Sequence, residues 1–251
     1  MKLLLVAALF AIALSACTGL DVASRDSSSA PPANTSPAAT QTPDAGDAAS
    51  QRCGGGSLEG CFSYHEMGEY LDAVTPMVAQ YFEETYPRVR APRDIVYIAS
   101  GRAARTACGT SNSYAYEYCP ANQSIYIGQD LLWQFYAGAG DAAPAIGLAH
   151  EWGHHLQTML GVSAGSRNEA IDFENQADCV SGAWAKYANE QGWLEGDDDL
   201  RDMTTLLDAI GSAEGPRRDH GTAPEREAAF EVAYDKGIKA CNEFFPDSPL
   251  A

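Results

Sequence analysis

The chain has 251 residues and a formal net charge of −18, from 34 acidic and 16 basic side chains. This charge repels phosphate backbones and anionic lipid headgroups, so the composition argues against a nucleic-acid partner. When an N-terminal export segment and a low-complexity stretch are set aside, about 190 residues remain to fold, which is the usual size of one domain.

The first 17 residues have the layout of a secretory signal, with an apolar run from Leu3 to Leu14 that is too short to span a bilayer. The closing Leu14-Ser15-Ala16-Cys17 resembles the bacterial lipobox. That resemblance implies a lipoprotein signal peptide over residues 1–16 and acylation of Cys17. The alternative is an ordinary signal peptide whose cysteine is incidental.

Residues 17–52 are rich in Ala, Ser, Pro and Thr and nearly lack large apolar side chains. Such a segment cannot bury enough surface to offset its chain entropy, which predicts a lipidated flexible tether. Residues 53–251 are then the folded domain. We expect the protein in the bacterial cell envelope, outside the cytoplasm and lipid-anchored to a membrane.

Six further cysteines suit disulfides in an exported protein, although six allow 15 pairings. Zinc ligation by cysteine would need C-x-x-C spacing, which is absent. Short loops favour Cys53 with Cys61 and Cys108 with Cys119, leaving Cys179 with Cys241.

The N-terminal half of the domain predicts one helix and two strands. Ser63 and Glu66 form a capping-box pattern before a run of apolar residues at helical spacing that reaches Tyr81. Ile95 to Ile98 and Ser124 to Ile127 are short β-branched runs typical of strands. One hypothesis is that these strands pair across a polar loop.

Four helices are predicted in the C-terminal half. Asp141 can cap the first, which would end before Gly161, and Ser166 with Glu169 predicts the start of the second. The third covers the apolar positions from Leu200 to Ile210 and the fourth extends from Thr222 to about Tyr234, with a surface loop from Gly211 to Gly221 between them.

The first of these helices carries the H-E-x-x-H pattern, as His150-Glu151-Trp152-Gly153-His154. Residues four apart share a helix face, so both imidazoles can converge on one zinc ion. Glu151 projects beside that ion and is placed to act as a general base. His155 is turned away by about 100° and is expected to pack or hydrogen-bond.

A catalytic zinc needs a third protein ligand. Glu174 follows His154 by 20 residues and shares a helix face with Asp178. In glutamate-liganded zinc peptidases such as thermolysin, a Glu at comparable distance is the third ligand, and an acid four residues later orients a histidine. This resemblance implies that Glu174 binds zinc and that Asp178 fixes the tautomer of an imidazole, that of His150.

The expected chemistry is attack of zinc-bound water on a peptide carbonyl, with Glu151 taking the proton and passing it to the leaving amine. His220 is the candidate donor to the oxyanion; the alternative is an ordinary loop histidine.

Six short segments follow one another along the chain: Ala107-Cys108-Gly109, Tyr118-Cys119-Pro120, Ile125-Tyr126-Ile127, His150 to Gln157, Gln176 to Trp184 and His220-Gly221-Thr222. This ordered series resembles the putative neutral zinc metallopeptidases of bacteria. The resemblance implies a zincin-like, thermolysin-like fold, a zinc cofactor and a peptidase activity. The chain departs from it in a tether that replaces a transmembrane anchor, a short loop at residues 161–167, and the residues after Thr222.

Together these observations predict an α+β, mainly α-helical domain with a short sheet whose edge strand could hold an extended peptide. The expected function is a surface-anchored, zinc-dependent metalloendopeptidase that acts on peptide or protein substrates. Two alternatives are a non-catalytic metal-binding lipoprotein and a peptidoglycan or other amide hydrolase.

Overall fold

The computed structural model describes residues 58–215 and 218–251. The predicted signal peptide and tether, including Cys17, lie outside the described residues, and so does Cys53 of the first predicted bridge. Within the described ranges, no helix is both long and apolar enough to cross a membrane.

The predicted mainly helical α+β fold is confirmed, with six α-helices and a small amount of sheet in the described part of the chain. A 3-10 turn at Tyr64–Glu66 leads into the first helix and another at Ile238–Glu243 follows the last. The helices are α1 (Met67–Thr85), α2 (Gln129–Ala139), α3 (Ala143–Leu160), α4 (Arg167–Glu190), α5 (Asp197–Ile210) and α6 (Ala223–Lys236).

The two predicted strands are present and pair in parallel, with Ile95 opposite Ile125. The segment between them, expected to be a loop, contains three more strands. The last of these pairs antiparallel with the second predicted strand, and the other two form a separate hairpin. The strands are β1 (Asp94–Ile98), β2 (Ala103–Thr106), β3 (Gly109–Asn112), β4 (Tyr116–Cys119) and β5 (Ser124–Gly128), in the sheet order β1-β5-β4.

Helices α3 and α4 pack closely because small residues lie at their contact. A Cβ atom on Gly153 of α3 would come within 3.1 Å of the Cα atom of Ala177 on α4. On the other side of α4, a Cβ atom on Gly182 would come within 2.1 Å of the carbonyl oxygen of Phe230 on α6. Glycine at these two positions therefore allows α4 to lie close to both neighbours.

The prediction that Asp141 caps α3 is wrong, because that helix begins at Ala143 and its N-cap is Ala142. Asp141 is buried and instead accepts a hydrogen bond from the backbone N–H of Leu58, at 2.8 Å. Its carboxylate lies beside those of Asp199 and Asp202. Burial raises the pKa of Asp141 and of Asp199 to about 6 in each case.

Two of the three predicted disulfides are present among the described residues: Cys108–Cys119 and Cys179–Cys241. The first joins β4 to the turn that links β2 and β3. The second connects α4 to the C-terminal 3-10 turn across a separation of 62 residues. It therefore fixes the end of the chain against the helix that carries Glu174.

Candidate active site

Helix α3 presents His150 and His154 on one face, as the four-residue spacing requires. Their ring centroids lie 4.6 Å apart and the ring planes are nearly perpendicular, at 89°. Both imidazoles direct Nε2 towards the Glu174 carboxylate on α4. The two helices therefore bring together the three predicted metal ligands.

The distances at this point suit one small divalent cation. Oε2 of Glu174 lies 3.4 Å from Nε2 of His150 and 3.4 Å from Nε2 of His154. Tetrahedral zinc with bonds near 2.05 Å separates its ligand atoms by about 3.3 Å. Oε2 of Glu174 is buried and accepts no hydrogen bond from the described residues. A buried carboxylate oxygen without such a partner, beside two imidazole nitrogens, fits a zinc site.

The charges of this cluster favour bound cations. Burial alone would raise the pKa of Glu174, but the nearby imidazoles of His150 and His154, each with Nε2 3.4 Å from Oε2, outweigh burial and hold the pKa well below its usual range. Burial alone would lower the pKa of His150, but Asp178 and Glu174 raise it to about 10. The cluster therefore carries negative charge that a metal ion or protons must balance.

Asp178 lies where the sequence suggested, with Oδ1 2.8 Å from Nδ1 of His150. The same oxygen accepts a hydrogen bond from Arg226 of α6, at 2.9 Å. Arg226 is only 4% exposed. Sequence reasoning did not identify Arg226, because an arginine that lies between two glutamates on a helix ordinarily points to solvent.

Glu151 is 6% exposed, on the turn of α3 that carries both histidines. Burial raises the pKa of its carboxyl group, while the charges of His150 and His154 and the Tyr118 amide favour the ionised form. Glu151 also lines a cavity of about 220 Å³, whose wall includes residues of α2, α3, α4, α5 and α6. A carboxylate in this position can exchange a proton with a molecule bound beside the histidines.

The cavity is lined mainly by apolar side chains and opens beside the metal ligands. Tyr116 of β4 forms part of its wall and donates a hydrogen bond to the carbonyl oxygen of Pro144, at 2.5 Å. A Cβ atom on Gly147 would come within 2.9 Å of the Tyr116 ring, so the glycine allows this packing. The apolar lining includes Leu131, Phe135, Ile146, Leu206, Leu207 and Ile210.

The loop before α6 places His220 at the same site, with Nε2 3.3 Å from Oε2 of Glu174. Its side chain is 43% exposed, and Nδ1 lies 3.0 Å from Oδ1 of Asp219. His220 also lines the cavity. A hydrogen-bond donor at the position of His220 can therefore reach a molecule that occupies the cavity.

His155 lies away from the cluster, as expected from its position on the helix. Its Nδ1 is 3.1 Å from the Tyr118 hydroxyl and its Nε2 is 2.7 Å from the Arg90 carbonyl oxygen. The carbonyl can only accept, so Nε2 donates to it and Nδ1 accepts from Tyr118. Both ring nitrogens are therefore occupied by hydrogen bonds that connect α3 to β4 and to the segment before β1.

Comparison with known proteins agrees with a zinc site formed by His150, His154 and Glu174. A family model described as putative neutral zinc metallopeptidase matches residues 1–244. Uncharacterized protein YpfJ of Escherichia coli K12 is 30% identical over 192 residues, which cover 66% of this chain and 66% of that protein. Uncharacterized protein Rv2575 of Mycobacterium tuberculosis H37Rv is 30% identical over 202 residues, or 68% of this chain and 65% of that protein.

The chain thus spans just under two thirds of the length of these relatives. No solved structure matches it. The family match covers nearly the whole chain, including the helices that hold His150, His154 and Glu174. The chain belongs to the putative neutral zinc metallopeptidase family.

Proposed function

We propose that this chain is a zinc-dependent metalloendopeptidase in which His150, His154 and Glu174 hold the metal and Glu151 is the general base. The observation that carries the proposal is the position of Glu151, a buried carboxylate that lines the same cavity as the predicted metal ligand His150. A site that bound zinc only for structural reasons would have no need of a buried carboxylate there.

When bound, zinc acts as a Lewis acid that makes water more acidic and polarises a carbonyl group. Glu151 accepts a proton from water as the water oxygen bonds to the peptide carbonyl carbon, and then delivers that proton to the amide nitrogen as the C–N bond breaks. His220 donates from Nε2 to the carbonyl oxygen while that oxygen carries negative charge. Asp178 holds the His150 ring in position throughout.

The environment of the site favours cleavage within a chain. The apolar cavity beside Glu151 suits a substrate side chain rather than a charged terminus. Strand β4 is an edge of its sheet and packs against α3, where an extended peptide could lie alongside it.

The test replaces Glu151 by Gln, which keeps the size of the side chain and removes its basicity. E151Q is expected to bind zinc with wild-type stoichiometry and to lose casein cleavage by at least about a hundredfold. The matched control is E231Q, an exposed position on α6 that should retain full activity. Wild-type cleavage by zinc-loaded E151Q would refute the mechanism.

A parallel incubation with muropeptides distinguishes a peptidase from a peptidoglycan amide hydrolase. Products from casein alone, identified by mass spectrometry, agree with the proposal. Products from muropeptides alone contradict it.

The proposed location is the bacterial cell envelope, outside the cytoplasm, where acyl chains on Cys17 anchor the protein to a membrane. The proposed substrate is a peptide or protein. The sequence from Leu14 to Cys17 supports this placement. Palmitate labelling of the full chain in bacteria tests it: wild type should incorporate label and C17A should not. Equal labelling of both would refute the assignment of Cys17.

A further inference from the structure

Gln157 lies one turn beyond His154 on α3, and its side chain is completely buried. Its Oε1 atom lies 2.8 Å from Nδ1 of His154, the ring nitrogen that faces away from Glu174. The two predicted metal-binding imidazoles thus have different partners: an aspartate for His150 and a neutral amide for His154.

The surroundings of Gln157 fix which way its amide points. Its Nε2 lies 2.8 Å from the main-chain carbonyl oxygen of Phe173. A carbonyl oxygen can only accept a hydrogen bond, so the NH₂ group must face Phe173 and the amide oxygen must face His154. That oxygen also only accepts, so Nδ1 of His154 must carry the proton. The lone pair of the imidazole is then on Nε2, which faces Glu174.

A second buried amide reinforces this direction. Gln176 of α4 donates from Nε2 to the carbonyl oxygen of Cys241, at 3.0 Å. Its Oε1 accepts from Nε2 of Gln157, also at 3.0 Å. A flip of either amide would place two donors or two acceptors face to face in a buried site, which is costly. Two main-chain carbonyls, those of Phe173 and Cys241, therefore determine the proton position on His154.

We propose that Gln157 is a positioning residue that keeps His154 in the Nδ1-protonated tautomer and so presents Nε2 to the metal. Gln176 holds Gln157 in the required orientation. The inference rests on the proposed function only in taking zinc as the ion, because it concerns metal affinity and not peptide cleavage.

The test compares Q157M, which keeps the approximate size but has no strong acceptor, with Q157E, whose buried side chain in its protonated form keeps an acceptor for Nδ1 and a donor for the Phe173 carbonyl oxygen. Zinc dissociation constants are measured by competition with a chelator. Q157M should bind zinc about 10- to 100-fold more weakly, the usual effect of losing such a partner, and Q157E should stay within about threefold of wild type. The matched control is Q129M, which removes a similarly buried glutamine whose partners are Ser100 and Tyr64, and which should leave zinc affinity unchanged.

A merely structural role for Gln157 would lower stability in Q157M and Q157E alike and leave their zinc affinities equal, which would overturn the proposal. If Q157M does not fold, ¹⁵N NMR of zinc-loaded wild type decides. A protonated Nδ1 and a coordinated Nε2 on His154 support the assignment, and the reverse pattern refutes it. A protein that shows the expected affinities but cleaves no peptide would refute the proposed function alone.

Discussion

Replacement of Arg226 by Met tests how much the buried ion pair between Arg226 and Asp178 stabilises the fold. Arg226 is 4% exposed and its partner Asp178 is 1% exposed, which makes this the most buried ion pair in the described ranges. Methionine retains much of the apolar stem but removes the guanidinium group. Removal of one partner of a buried pair costs about 3–5 kcal/mol, because the remaining charge stays buried without compensation. Since His150 still contacts Asp178, we expect a loss of about 3 kcal/mol.

The assay is urea denaturation at pH 7.5 with zinc removed, so that metal binding does not contribute to the free energy of unfolding. R218M is the matched control, because Arg218 pairs with the more exposed Glu225 and its loss should lower the free energy of unfolding much less than R226M does. R226M combined with D178N removes both charges and should recover part of the loss. Equal losses of unfolding free energy in R226M and R218M would refute the reasoning. So would a double variant whose loss equals the sum of the losses of R226M and D178N.

Three further predictions concern other parts of the molecule. Burial raises the pKa of Asp199 to about 6, so the folded state is fully stable below about pH 4, where Asp199 is protonated, and loses stability as the pH rises through 6. D199N should therefore raise the free energy of unfolding by about 1–2 kcal/mol at pH 7.5 and leave it unchanged at pH 4. D208N, at an exposed position, should leave the free energy of unfolding unchanged at both pH values. The double variant C179S/C241S should lower the free energy of unfolding, measured by urea denaturation, by about 4 kcal/mol, because the disulfide closes a 62-residue loop and so restricts the unfolded chain. A decrease below about 1 kcal/mol would contradict this explanation. L131W should narrow the cavity and lower kcat/KM for casein about tenfold without changing zinc affinity, so an unchanged rate would exclude the cavity as a substrate site.

The helices with clear start and stop signals could be predicted from the sequence, and α2 could not. Gly128, at the start of α2, offers no side-chain cap. The helix also follows β5 directly, so the apolar residues of both elements read as one continuous run. The β2–β3 hairpin was missed for a different reason, since Ala103 to Thr106 lacks the alternation and the large β-branched residues that predict a strand.

The geometric core of the site could be anticipated because helical spacing alone places His150 and His154 on one face. The residues that orient those side chains could not. A buried role for Arg226 depends on Asp178, which is 48 residues away in sequence, and the orientation of Gln157 depends on main-chain carbonyls. Such roles arise from tertiary contacts that no local pattern encodes.

The predicted ligands come from two separate helices, which links metal supply to the lifetime of the protein. An ion shared by His150, His154 and Glu174 would cross-link α3 and α4, and an unfolded chain could not hold it in the same way. At a free zinc concentration a thousandfold above the dissociation constant, binding adds about 4 kcal/mol to the free energy of unfolding. Zinc depletion would then increase the unfolded fraction about a thousandfold and expose the chain to degradation by other proteases.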